Sequence, residues 1–172
     1  KKKMNSVSQA RFYIERSGGN YDVYEKEHEA YQSSLENTQR RIRGVIKNKV
    51  IDRTYLPNYL FSDKDLVVVV GQDGLVANTA KYAKGIPIIG VNPEPSRYDG
   101  ILLPFTEPEM DRVIQQVISG AYRTKEVTMA EAKLNDGQRL LAFNDLFIGP
   151  RTHTSARYQI SLGKQSEAHS SS

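Results

Sequence analysis

The sequence contains no cysteine, which removes disulfides, thiolate zinc sites and cysteine nucleophiles together. It holds no apolar run near the roughly 20 residues that a membrane-spanning helix requires. The basic start, Lys1 to Lys3, is not followed by the apolar stretch of a secretory signal. These absences fit a reducing compartment, and the expectation is a cytoplasmic protein without a membrane partner. A dense basic stripe is missing as well. The formal charge of +4 is spread through the chain, an excess that suits phosphorylated small molecules better than nucleic acid.

What is present describes a globular protein. Of 172 residues, 38% are hydrophobic and 26% charged, enough to bury a core and enough for one ordinary domain or a small domain with part of another. The first third reads as helical, with Gly18-Gly19 as a stop. From Tyr21 to Arg43, Tyr24, His28, Tyr31, Leu35, Ile42 and Ile46 recur at helical spacings, which predicts one long amphipathic helix. Its other face, Glu25, Lys26, Glu27, Glu29 and Gln32, reads as solvated. Arg40, Arg41 and Arg43 complement the dipole at the helix end rather than contact nucleic acid.

"KNKVIDRTYL" predicts a short strand ending near Asp52. Leu66 to Val70 is a continuous apolar run, the pattern of a parallel strand covered on both faces. A helix over Leu75 to Ala83, a second strand over Ile86 to Val91 and a third short one within Asp99 to Phe105 follow. Pro108 opens a helix that Gly120 closes. This alternation predicts an α/β fold with an open, mainly parallel sheet over residues 1–122. Residues 123–172 read as the start of a β-rich second domain, with a hairpin at Asn135-Asp136-Gly137, a strand at "SARYQISLG" and a polar tail.

Two constellations carry the chemistry. Gly71-Gln72-Asp73-Gly74 sits at the carboxyl end of the buried strand, where open α/β sheets bind ligands. Glycine admits close approach of the backbone to phosphate, and the carboxylate between reaches a hydroxyl. Asn144 and Asp145 interrupt an apolar stretch, where an amide and a carboxylate must find partners; a local turn or a bound ligand would supply them. Arg97 and Arg151 are cations able to meet a phosphate. His153 reads as a surface residue. No His/carboxylate spacing suits a resident structural metal.

Gly71-Gln72-Asp73-Gly74, the "GIPIIGVN" segment ending at Asn92, and Asn144-Asp145 together resemble the NAD kinase family over about residues 50–160. The Gly-x-Asp-Gly element resembles the wider superfamily of NAD, diacylglycerol and 6-phosphofructokinases. The resemblance implies a transferase that moves a phosphoryl group from ATP, with Mg2+, to the adenosine-ribose 2′-hydroxyl of NAD, giving NADP. It makes Asp73 the general base. It has Gly71 and Gly74 let the backbone approach phosphates and Asn144 and Asp145 hold the dinucleotide; Gln72, Asn92, Arg97 and Arg151 join them in the candidate nucleotide-binding set, and the expected partners are small-molecule nucleotides, with a homo-oligomer expected. Gln72 stands where the family has a second glycine, Leu75 replaces threonine, and Asp145 is one methylene shorter than the family's glutamate. The segment "NPEPSRYDGILLPF" also departs from the family's Gly-Phe-Leu type, as in a divergent sugar kinase-like branch. The family's opening strand and its later Gly- and Ser/Thr-rich motif are not evident, so both ends are expected to be clipped from a longer protein. The alternative is a catalytically silent nucleotide- or metabolite-binding protein on the same scaffold. A lipid or sphingoid kinase is disfavoured, since no apolar acceptor site is visible.

Overall fold

The computed structural model describes residues 6–143, 145–147, 149 and 154–171. The chain divides into two compact units, one through Glu126 and one from Val127.

The first unit opens with helix α1, Val7–Arg16, whose N-cap Ser6 accepts from the Gln9 N–H at 3.1 Å. Helix α2 spans Tyr21–Arg43, the range its spacing predicts, with the Asn20 side chain accepting from the Asp22 N–H. Strand β1, Val67–Val70, runs parallel to β2, Ile88–Val91, in the register Val67↔Ile88 to Val70↔Val91. Between them lies helix α3, Asp73–Ala83, which stops where Lys84 and Gly85 turn to positive φ. Helix α4, Met110–Ile118, follows a single 3-10 turn at Glu107–Glu109. Pro108 in that turn and Gly120 at φ 74° mark its two ends.

The valine run is buried because both faces of the small sheet are covered. Val70, Ile89 and Val91 pack with Met110, Val113 and Ile114 of α4 and with Tyr31, Leu35 and Ile42 of α2. Val67 and Val69 point the other way, to Val76 of α3, Leu103 and Phe61. Each such aliphatic side chain stabilises the fold by about 1.5–3 kcal/mol relative to exposure. A second tie joins α2 to α4: Arg41 pairs with both Glu107 and Asp111. Those bonds, Glu107 first, raise the Arg41 pKa further above its ordinary range.

Two expected strands are absent as strands. Residues 47–52 take no regular structure, and the Asp52 side chain accepts from the Thr54 N–H to start a 3-10 helix over Arg53–Asn58. Asp99 to Phe105 contributes one parallel bridge, Val91↔Phe105. Turns intervene, since Gly100 takes φ 64° and its carbonyl accepts from the Leu103 N–H. That segment presses on β2 so closely that a Cβ at Gly90 would lie 2.1 Å from the Leu102 carbonyl oxygen.

The second unit consists of two antiparallel pairs. Strands β3, Ala130–Lys133, and β4, Arg139–Ala142, enclose the expected turn, with Gly137 at φ 87°. Strands β5, Ala156–Leu162, and β6, Gln165–Ser171, pair over seven residues around the two-residue loop at Gly163. The polar tail is therefore a strand. The fold is mixed α/β, with one small parallel sheet and antiparallel strand pairs.

Candidate active site

Everything of note lies at the carboxyl ends of β1 and β2. Gly71 extends the parallel ladder by one bond, its N–H donating to the Val91 carbonyl at 3.2 Å. Gln72 is extended and caps α3 without a side-chain bond to it, which leaves its amide to reach elsewhere. Asp73 is the first residue of α3, where the helix N-terminus favours a carboxylate. Its Oδ1 accepts from the Leu102 N–H at 2.7 Å, and Oδ2 has no partner among the described residues. Gly74 is exposed with open space around it.

The turn after β2 is organised by buried Asn92. Its Nδ2 donates to the Tyr98 carbonyl at 2.8 Å and its Oδ1 accepts from the Glu94 N–H at 3.0 Å. Its own N–H donates to the Phe105 carbonyl at 2.7 Å. Gly100 completes the turn, because a Cβ there would meet Asn92 Nδ2 at 2.6 Å.

Both turns are tied to α2 through one carboxylate. Glu27 Oε1 accepts from the Tyr98 hydroxyl and lies 3.5 Å from Gln72 Nε2. Glu27 Oε2 pairs with Arg97 at 3.1 Å, and Arg97 lies 4.0 Å from Glu94. The hydrogen bond to Glu27 is the main reason the Tyr98 phenol is held above its ordinary pKa; burial and the glutamate charge add to it.

A cleft of about 1430 Å³ opens between α2, the residue 47–65 segment, β1 and the start of α3, and Glu27, Gly71, Gln72, Gly74, Glu94 and Tyr98 are among its lining residues. Asp73 turns its carboxylate toward Leu102 instead. The first unit thus brings Gly71, Gln72, Asp73, Gly74, Asn92 and Arg97 together within the two turns. Asp145 lies in the second unit, exposed and beyond the end of β4. Asn144, Arg151 and His153 lie outside the described residues. Among the described residues no group of three His, Asp or Glu side chains gathers to hold a metal ion, and no helix is long and apolar enough to cross a membrane.

The chain is 32% identical over 127 residues to the NAD kinase of Heliobacterium modesticaldum, covering 67% of this chain and 44% of that protein. It is 31% identical over 93 residues to the NAD kinase of Chlorobium phaeobacteroides (strain BS1), and 33% over 92 residues to that of Chlorobium luteolum. These two matches each cover 52% of this chain and about a third of the relative, 32% and 31%. The chain belongs to the NAD kinase family. It spans less than half the length of the curated NAD kinases it matches. No protein-family model and no solved structure matches it.

Within this NAD kinase family member, Glu27 is the residue that the sequence pattern assigns to solvent and the structure places against both turns. The available signal was its position: three residues after Tyr24 and four before Tyr31, it borders the apolar stripe of α2. The other unforeseen partner is the Leu102 N–H, a backbone donor that no side-chain motif announces.

Proposed function

We propose that this chain carries part of a small-molecule kinase, which transfers the γ-phosphoryl group of ATP to a hydroxyl of NAD or a related acceptor. The observation that carries this reading is the setting of Asp73. It stands at the carboxyl end of a buried parallel strand, on the first turn of a helix, with Oδ1 anchored on the Leu102 N–H and Oδ2 left to accept a proton. In the step, the acceptor oxygen forms a bond to the γ-phosphorus while its proton passes to Asp73. The bond to the β,γ-bridging oxygen breaks, and ADP leaves. Such transfer depends on positioning and charge stabilisation. Exposed Gly74 and the α3 N-terminus offer backbone N–H groups to phosphate oxygens. Mg2+ would arrive with the triphosphate and would supply neutralisation of its phosphate charge. Dinucleotide-binding roles for Asn144 and Asp145 rest on the family resemblance, and a phosphate-binding role for Arg151 rests on its charge.

The test is ADP release with ATP and either NAD, NADH or a panel of sugars and nucleosides, with Asp73→Asn alongside. Acceptor-dependent turnover that survives Asp73→Asn unchanged would remove Asp73 as the base. One observation favours a second reading, binding without turnover: Gln72 places a side chain, its amide 3.5 Å from Glu27, inside the segment that must approach phosphate. Nucleotide binding without ADP release from any acceptor would establish it.

A further inference from the structure

Strand β2 carries a buried glycine, Gly90, among Ile88, Ile89 and Val91. Glycine weakens a strand interior, and one of its uses there is to let another backbone come close. Gly90 pairs with Val69, which packs against Val76 of α3 and Leu103, so the missing side chain leaves a gap on the α3 face of the sheet. The backbone of Leu102 and Leu103 fills that gap. A Cβ on Gly90 would lie 2.1 Å from the Leu102 carbonyl oxygen and 3.0 Å from the Leu103 Cα. The segment is also fastened from beyond, since the Phe105 N–H donates to the Gly90 carbonyl at 3.3 Å. Leu102, whose carbonyl rests on Gly90, is the residue whose N–H donates to Asp73 Oδ1 at 2.7 Å. One residue thus touches the bare Cα of β2 with its acceptor and the carboxylate at the start of α3 with its donor.

We propose that Gly90 is a positioning residue for Asp73: by admitting Leu102 against β2, it sets the backbone N–H that aims the carboxylate. The inference rests on the kinase reading, in which Asp73 takes the acceptor proton, and goes beyond it by giving a role to a residue buried beneath the turn. Any side chain at position 90 must move the Leu102 carbonyl by about 1 Å before even a 3.0 Å contact is reached. The donor to Asp73 belongs to the same residue and is displaced with it. Misplacement of a reacting group by about 1 Å costs on the order of 10²-fold in rate.

The experiment compares wild type, Gly90→Ala and Gly19→Ala in the ADP-release assay, in urea denaturation and by amide hydrogen exchange. Gly19→Ala is the control for strain alone: its Cβ would meet Ile14 Cγ2 at 2.9 Å, at the junction of α1 and α2, and its kcat per folded molecule should match wild type. In Gly90→Ala, kcat per folded molecule should fall by about 10²-fold, KM for ATP should stay unchanged, and the Leu102 amide should exchange faster. A glycine that serves the fold alone would lower the urea midpoint and leave kcat per folded molecule intact, and that result overturns the inference. A rise in KM for ATP with kcat intact overturns it too, since the glycine then shapes binding rather than the aim of the base. Should Gly90→Ala not fold, the α-hydroxy analogue of leucine at position 102 exchanges the N–H for an ester oxygen and leaves Gly90 in place. That variant should show the same fall in kcat, and wild-type kcat from it overturns the inference equally. Wild type that releases no ADP with any acceptor ends the kinase reading and the positioning role together, whereas wild-type turnover undiminished in Gly90→Ala ends the positioning role alone.

Discussion

The hydroxyl of Tyr98 donates to the carboxylate of Glu27, joining the turn after β2 to the second turn of α2 across 71 positions of sequence. That bond needs the phenol protonated, and the phenol's pKa is raised accordingly. The sign follows directly. A folded-state pKa above the unfolded value gives stability that is fully present below the ordinary tyrosine range and is lost as pH rises through the folded value. Tyrosinate absorbance, compared between wild type and Tyr98→Phe, should show the missing group titrating above pH 10, the ordinary tyrosine value. In Glu27→Gln it should move down toward the ordinary value. A phenol that titrates with the exposed tyrosines would break the link between the two turns.

Asp73→Asn separates chemistry from folding. The asparagine oxygen still accepts from the Leu102 N–H, so the thermal midpoint should stay within a few degrees of wild type. The amide cannot take a proton, and turnover in the ADP-release assay should fall by about 10²- to 10⁴-fold, the ordinary worth of a general base. Asp73→Ala should lose both, because it leaves the Leu102 donor without its partner.

Gly74→Ala tests whether that glycine serves the fold or the ligand. A Cβ there meets nothing within 4 Å, and the residue is helical, so alanine should stabilise the chain by about 0.5–1 kcal/mol. Backbone approach to phosphate would be obstructed by the same methyl. The expected outcome is a higher denaturation midpoint with weaker ATP binding. Unchanged binding would make Gly74 a helix residue only.

Much of this fold was legible because the signals were repetitive. The spacing from Tyr24 to Ile42 predicts the bounds of α2, and four valines without alternation predict a strand covered on both faces, as Val70 and Val67 demonstrate. Asp73 and Asn92 were legible as residues of the turns that end β1 and β2, because glycine and a buried strand frame them. What failed were features that depend on a partner. Val50 and Ile51 are β-prone, yet among the described residues no strand pairs with residues 47–52, and Val50 stays exposed. The reverse holds for β6, where a polar composition conceals a strand fixed by seven backbone pairings with β5. Glu27 was hidden for a related reason: a glutamate on a helix looks solvated until the turns that meet it are placed.

Asn92 is the residue on which the second turn depends, and it offers the sharpest stability test. Its side chain satisfies the Tyr98 carbonyl and the Glu94 N–H from a site only 5% exposed. Asn92→Ala leaves two part-buried polar groups without partners, each worth about 1–3 kcal/mol when unsatisfied. Water entering the vacated space recovers part of that, so a net loss of about 2–4 kcal/mol is expected in urea denaturation. Asn92→Asp keeps the acceptor for Glu94 but sets a carboxylate against the Tyr98 carbonyl, so it should destabilise the turn as well. Both variants should release Tyr98 from Glu27, detectable as the phenol's return toward ordinary titration. An Asn92→Ala protein of wild-type stability, with Tyr98 still titrating high, would mean the turn is held by Gly100 and the backbone alone.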